Sequence, residues 1–111
     1  MNWIPLRSGE ELEQLIVLSE TNPQVIFKHS TRCSISSVAK SRLEKAGSPG
    51  ELQFHYLDLL SYRPLSNSIA ERFDVEHESP QILVIKNGKC VYTESHMGID
   101  MEEIKEQLQL N

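Results

Sequence analysis

The sequence predicts an α/β domain in which a mixed four-stranded sheet carries helices on both faces. Short apolar runs of strand length alternate with amphipathic stretches of helical length along the 111 residues. Strands that are joined by a crossover helix run parallel, with a right-handed connection. The last two apolar runs are separated by Asn87-Gly88, a strong signal for the two-residue turn of an antiparallel hairpin. Both kinds of strand pairing are therefore expected in one sheet.

The first half of the chain is expected to contribute two helices and two strands. Ser8 and Glu11 form a capping-box pattern that begins the first helix, and Asn22-Pro23 ends it. The continuous apolar centre of the first strand, Val25-Ile26-Phe27, is typical of a strand covered on both faces. The elements predicted here are a helix over 9–20, a strand over 24–29, a helix over 33–46 and a strand over 52–59.

The second half is expected to contribute a helix, a hairpin and a last helix. Leu65, Ile69 and Phe73 recur at helical spacing, and Asp100 is the expected N-cap of the last helix. The elements predicted here are a helix over 64–73, strands over 81–85 and 90–94, and a helix over 101–108. The complete order, α β α β α β β α, is the thioredoxin-like layout.

Composition and charge narrow the class of protein. The chain is 39% hydrophobic and 24% charged, which is ordinary for a soluble globular protein with a single domain over 1–111. The net charge of −5 and the lack of a Lys/Arg block argue against nucleic acid or an anionic membrane as the main partner. The N-terminus carries no basic segment followed by a long apolar one. We therefore expect a cytoplasmic protein whose two cysteines are thiols.

Cys33 is the candidate reactive group. It follows a strand and a polar loop and opens a predicted helix, where unpaired N–H groups and the helix dipole favour negative charge. Arg32 adds a neighbouring cation, and both surroundings favour the nucleophilic thiolate. A buried structural cysteine is the alternative, but the neighbouring residues Ser30, Thr31 and Ser34 are polar, which does not suit a thiol buried in an apolar core. We therefore expect Cys33 to be catalytic, with Arg32 assisting.

The motif Cys33-Ser34-Ile35-Ser36 has a serine where dithiol oxidoreductases carry a second cysteine. Without a thiol at position 36 the domain cannot close a disulfide across this motif. It can accept a thiol cargo from a mixed disulfide onto Cys33, but a separate thiol must release that cargo. Two roles for Ser36 stay open: its hydroxyl donates a hydrogen bond to the Cys33 sulfur as part of the catalytic group, or it satisfies the main chain in the first helical turn.

Cys90 is a poor candidate for a resolving thiol. It follows the turn of the predicted hairpin, whereas Pro80 stands at the start of the hairpin, beside the site. About five residues of strand at ~3.3 Å each put Cys90 roughly 15 Å from the site, and a disulfide needs Cα atoms within about 7 Å. The four histidines and two isolated cysteines show no metal-ligand spacing, so we expect neither a metal site nor a bound cofactor.

Four further residues are candidates for substrate binding. In this layout Ser79 and Pro80 face the helix that carries the cysteine, and the Ser79 main chain is expected to pair with an extended substrate segment. Lys28, near the end of the first strand, is a candidate for attracting the carboxylate of a thiol; a solvating charge is the alternative. Gly98 returns near the site just before the last helix, whose N-terminus can bind a carboxylate.

Two stretches carry a resemblance to a known family. The run SIAERFDVEHESPQILVIKNGKCVYTESHMGI is similar to the proline-loop half of thioredoxins, with a helix, a proline, an apolar strand, an Asn-Gly hairpin and a final glycine. The combination of IFKHSTRCSIS with HESPQ resembles the YtxJ family of thioredoxin-like proteins, the monothiol bacilliredoxins. The resemblance extends from Trp3 to about Leu108.

The resemblance implies a function in cytosolic bacillithiol redox metabolism. The family is implied to remove bacillithiol from S-bacillithiolated proteins, so those client proteins and a low-molecular-weight thiol are the expected partners. Bacillithiol is then the thiol co-substrate. By position, Cys33 matches the active-site thiol and Pro80 the cis-proline, and the departure from CxxC is itself a trait of the family. The implied activity is that of a monothiol thiol–disulfide oxidoreductase acting through a mixed disulfide on Cys33.

Two other functions fit the same features. Monothiol glutaredoxins with CGFS motifs bridge an iron–sulfur cluster between two protomers, and CSIS shares only its outer residues with CGFS. Anaerobic reconstitution tests this alternative, because a colourless protein excludes a cluster carrier. A non-catalytic redox-responsive binding module is the other alternative, in which the proline loop docks a partner. Repeated turnover separates the enzyme from the module.

Overall fold

The computed structural model describes residues 1–109 and contains a five-stranded mixed sheet between two pairs of helices. The last two positions of the predicted 1–111 domain lie outside the described residues. The strands are β1 (Trp3–Pro5), β2 (Gln24–His29), β3 (Gln53–Asp58), β4 (Gln81–Lys86) and β5 (Lys89–Ser95). The helices are α1 (Gly9–Leu18), α2 (Ser34–Ala46), α3 (Arg63–Phe73) and α4 (Met101–Gln107), and a 3-10 helix covers His96–Gly98. Within residues 1–109, no helix combines the length and apolar composition needed to cross a membrane.

The sheet has the strand order β1-β3-β2-β4-β5, with β2 at its centre. β1 and β2 run parallel to β3, and β4 runs antiparallel to both β2 and β5. The mixed sheet and thioredoxin-like layout are therefore confirmed, but the predicted number of four strands is wrong. The additional strand, β1, is an edge strand of three residues that ends in Pro5, and so short a segment carries no periodic pattern.

The sheet separates two hydrophobic cores. One core packs the sheet against α2 and α4, and the other packs it against α1 and α3. Val25 and Phe27 of β2 point into the first core and Ile26 points into the second, as the alternation of a strand requires. The alternation continues to the end of β2, so that Lys28 faces α3 and His29 faces α2.

The ends of the predicted elements agree with the structure to within one or two residues. Ser8 caps α1 as expected and accepts the Glu11 N–H at 3.1 Å. The Glu11 carboxylate, however, accepts the N–H of Arg7 at 2.7 Å, where a full capping box would use that of Ser8. Asn87 and Gly88 form the β4–β5 turn with φ of 54° and 76°, which is the conformation that favours this pair of residues.

Candidate active site

Cys33 occupies the N-cap position of α2, beyond the carboxyl end of the central strand β2. Its N–H donates to the Ser30 carbonyl at 3.1 Å and its carbonyl accepts the Ser37 N–H at 3.1 Å, so loop and helix together fix its main chain. The thiol is unpaired and partly exposed. The Cys33 side chain makes no capping hydrogen bond to α2, although the N–H groups of the first helical turn have no intrahelical acceptor. The amino end of a helix in general favours negative charge.

Ser36 is fully buried beneath the loop that leads to Cys33. Its hydroxyl accepts the N–H of Ser30 at 3.1 Å and lies 2.5 Å from Nδ1 of His29. These bonds correspond to the second of the two roles left open by the sequence, because a bond to the Cys33 sulfur is not among them. Ser36 therefore joins the end of β2, the loop and the first turn of α2.

His29 is a site residue that the sequence pattern did not indicate. It is buried, and its ring packs against Phe27 and Tyr56 with centroid distances of 5.6 and 5.4 Å. Burial, followed by the Lys40 cation, lowers the pKa of His29. A neutral imidazole has one donor and one acceptor nitrogen, so it can bond the Ser36 hydroxyl in either tautomer. The only sequence signal for this residue is its place at the end of a buried strand, four positions before Cys33.

Ser79 and Pro80 lie at the same end of the sheet as Cys33. The Ser79–Pro80 peptide bond is cis, as the resemblance implies. Gln81 pairs with Lys28 in the antiparallel β4–β2 ladder, so Pro80 comes beside the end of β2 from which the Cys33 loop departs. The Ser79 hydroxyl is buried and has no hydrogen-bond partner among the described residues.

Gly98 and Arg32 lie in exposed segments at this end of the sheet. Gly98 ends the 3-10 helix, and the His96 N–H at the start of that helix donates to the Pro80 carbonyl at 2.9 Å. A Cβ at position 98 would lie 2.7 Å from Cδ of Glu94, which is the far end of a flexible side chain. The hydrogen bond between His96 and Pro80 attaches the 3-10 helix to the proline side of the site.

Lys28 does not reach the surface of the site. It is fully buried, its Nζ donates to the Ser66 carbonyl at 3.0 Å, and the same nitrogen lies 3.3 Å from Nδ1 of His77. Burial lowers the pKa of Lys28 to about 8. The predicted role in attracting a carboxylate of a thiol is therefore wrong, because a substrate cannot contact an ammonium enclosed on the α3 side of the sheet. The alternative of a solvating charge is wrong for the same reason.

Cys90 lies at the opposite end of the sheet from Cys33. It pairs with Ile85, and Ile85 pairs with Gln24, the first residue of β2, whereas Cys33 follows the last. A six-residue strand therefore separates the two cysteines, a span of roughly 15–20 Å. Cys90 is half-buried against the α1–α3 core, and this burial raises the pKa of its thiol. Within residues 1–109, no three His, Cys, Asp or Glu side chains are grouped so that they could hold a metal ion.

Known proteins share both the family features and the fold. A family model described as Monothiol bacilliredoxin BrxC matches residues 4–104. A solved structure, described as having a thioredoxin fold and a suggested oxidoreductase activity, is 30% identical with a TM-score of 0.80, covering 96% of this chain and 93% of that one. Thioredoxins of Fasciola hepatica and Trypanosoma brucei brucei are 20% and 14% identical, with TM-scores of 0.74 and 0.77. The Fasciola hepatica match covers 96% of this chain and 96% of that one. The Trypanosoma brucei brucei match covers 97% of this chain and 88% of that one. At these identities the two thioredoxins show the fold alone.

Proposed function

The chain belongs to the monothiol bacilliredoxin family, and on this basis we propose that it removes bacillithiol from S-bacillithiolated proteins as a thiol–disulfide oxidoreductase. At the general level of thiol oxidoreductase, the family and the fold agree. The observation that carries the finer proposal is the single thiol at the N-cap of α2. Ser36 stands where a second thiol would be, and Cys90 is at the far end of the sheet.

The proposed exchange has two steps, each of which forms one S–S bond and breaks one. The Cys33 thiolate attacks the bacillithiol sulfur of the client's mixed disulfide, and the client leaves as a thiolate that takes a proton from water. The bacillithiol then remains on Cys33 as a mixed disulfide. A second bacillithiol thiolate attacks the sulfur of that bound bacillithiol, releases bacillithiol disulfide and restores the Cys33 thiolate.

The surroundings of Cys33 support this proposal. Arg32, the residue before Cys33, is exposed and adds a positive charge to this part of the surface. The Ser79 main chain offers pairing groups to an extended client segment, and the exposed Gly98 lies shortly before the start of α4. In this proposal bacillithiol is a co-substrate, cytoplasmic S-bacillithiolated proteins are the clients, and the reaction needs no bound cofactor.

Intact-mass spectrometry with bacillithiol disulfide tests the proposal directly. We expect one bacillithiol adduct on the wild type and on the matched control Cys90→Ser, and none on Cys33→Ser. With excess S-bacillithiolated client and free bacillithiol, the wild type and Cys90→Ser should complete many turnovers. Full transfer by Cys33→Ser would refute the proposal, and a single stoichiometric exchange would favour a binding module.

A further inference from the structure

A buried ammonium lies behind the loop that presents Ser79 and Pro80. Lys28 is fully enclosed, and within residues 1–109 no carboxylate comes within ion-pair distance of its Nζ. Taking a charge out of water without an opposite charge is costly in a protein interior. Within the described residues, the hydrogen bonds of Lys28 are the only interactions that offset the cost of burying its charge. The elements that these hydrogen bonds connect therefore indicate the role of this residue.

Those hydrogen bonds join three elements at one point. Nζ of Lys28 donates to the main-chain carbonyl of Ser66 in α3 and lies 3.3 Å from Nδ1 of His77. The hydroxyl of Ser66 also lies 3.3 Å from that ring nitrogen. His77 belongs to the 74–80 loop, which connects α3 to β4. Lys28 thus attaches both the helix and the loop to the central strand.

The protonation states agree with this arrangement. An ammonium has only donors, so Nδ1 of His77 must accept and its proton must be on Nε2. Burial, followed by the Lys28 and Arg63 cations, lowers the pKa of His77 and so favours the neutral ring. Lys28 and His77 therefore form a charge-assisted hydrogen bond in which the lysine is the donor.

The attachment point is next to the proline side of the site. Lys28 pairs with Gln81, the residue after Pro80, and His77 is three positions before Pro80. The Gln81 side chain also donates to the Glu76 carbonyl at 2.9 Å. The loop is consequently held from behind at residues 76 and 77, immediately before the segment that faces the Cys33 loop.

We propose that Lys28 is a positioning residue for thiol exchange, which acts through His77 to hold the Ser79 main chain where an extended client segment can pair with it. The proposal rests on the proposed function for its substrate. Lys28 contacts neither the client nor the reacting sulfur atoms. Its effect is on the productive binding of a protein or peptide client, and small reagents that need only the Cys33 thiolate are insensitive to it.

Steady-state kinetics with a short peptide that carries one bacillithiolated cysteine tests this inference. Lys28→Met keeps the length of the side chain and removes its donors, and His77→Leu removes the acceptor. We expect each to raise KM by roughly tenfold, since a small misplacement far from the chemistry is felt at the reacting groups. His77→Asn, which keeps an acceptor oxygen near the place of Nδ1, should restore KM to within about twofold of wild type.

Two controls separate positioning from a general structural loss. The exposed Lys45→Met should leave KM unchanged. The rate of Cys33 alkylation by iodoacetamide should change by less than about twofold in all variants, because that reaction needs no proline loop. An unchanged KM in Lys28→Met and His77→Leu, an equal loss of alkylation rate, or a failure of His77→Asn to restore KM would each overturn the inference.

Hydrogen exchange makes the inference independent of the proposed function. In Lys28→Met we expect the amide proton of Glu78, which donates to Oε1 of Gln81 at 3.4 Å in the wild type, to exchange roughly tenfold faster, with exchange in β3 unchanged. A wild-type protein that transfers no bacillithiol would refute the proposed function only. Unchanged exchange at Glu78 would refute the positioning role, whatever the substrate.

Discussion

The hydroxyl oxygen of Ser36 lies 2.5 Å from Nδ1 of His29, and it also accepts the N–H of Ser30 at 3.1 Å. Ser36 and His29 are buried, so both bonds lie in a region of low dielectric where lost partners are costly. The position at which a dithiol enzyme has its second sulfur is here a structural connection between β2 and α2.

Ser36→Ala should lower the free energy of unfolding by about 1–3 kcal/mol, because it leaves buried hydrogen-bonding groups of Ser30 and His29 without a partner. Urea denaturation measures the effect. The matched control is Ser37→Ala, whose side chain is exposed one position further along α2 and whose loss should cost within about 0.5 kcal/mol. Equal stabilities of the two variants would contradict this account of Ser36.

Ser36→Cys should convert the site into a dithiol. Positions 33 and 36 are one helical turn apart, at about 5–6 Å, which is within the range of a disulfide. After mild oxidation with diamide, alkylation in denaturing urea followed by intact-mass analysis should find only Cys90 modified. The control Cys33→Ser/Ser36→Cys should leave both of its thiols available to the alkylating agent. Complete alkylation of the oxidised Ser36→Cys variant would show that the buried position cannot pair with Cys33.

His55 should make the protein less stable in acid. Its Nε2 is 2.7 Å from Oε1 of Gln24, and burial lowers the pKa of His55 to about 4. The unfolded chain takes up this proton near pH 6.5, so stability is complete above about pH 6.5 and declines as the pH falls towards 4, by about 3 kcal/mol in total. Urea denaturation at pH 7.5 and pH 4.5 measures the loss, and His55→Gln should lose less. Equal losses in the two proteins would assign the acid sensitivity to other groups.

Lys28 should make the protein more stable as the pH rises above neutrality. Its pKa is about 8 in the folded protein and near 10.5 in the unfolded chain, so the penalty for the buried charge is complete below pH 8 and disappears as the pH rises through this interval. Relative to Lys28→Met, the wild type should gain about 2 kcal/mol of stability between pH 7.5 and pH 10. Parallel profiles for the two proteins would show that the ammonium carries no such penalty.

Most of the fold could be predicted because its signals are local. Helical spacing, proline and glycine positions and the Asn87-Gly88 turn each define an element without reference to the rest of the chain. The strand β1 lacked such a signal, because its stability depends on distant partners. The Trp3 ring stacks on Phe27 at 5.4 Å, and its indole N–H donates to Glu44 of α2 at 2.8 Å. These contacts exist only once the sheet and α2 have assembled.

The candidate site shows the same division between features set by neighbouring residues, which could be predicted, and features set by distant contacts, which could not. The place of Cys33 at the start of a helix follows from adjacent residues, and so does the position of Ser79-Pro80 before a strand. The burial of Lys28 does not, since a lysine near a strand end is usually solvated. It depends on Ser66 and His77, which are 38 and 49 positions away along the chain.

The separation of Cys33 from Cys90 has a consequence for exposure to peroxide. Oxidation of the Cys33 thiolate produces a sulfenic acid, which is rescued when it condenses with a second thiol. This chain holds only one other cysteine, and it lies at the far end of the sheet, so rescue depends on a thiol from solution. Where that thiol is scarce, further oxidation to the sulfinic acid removes the nucleophile permanently. The time for which Cys33 stays reactive under oxidative stress therefore depends on the concentration of free thiol in the surrounding solution.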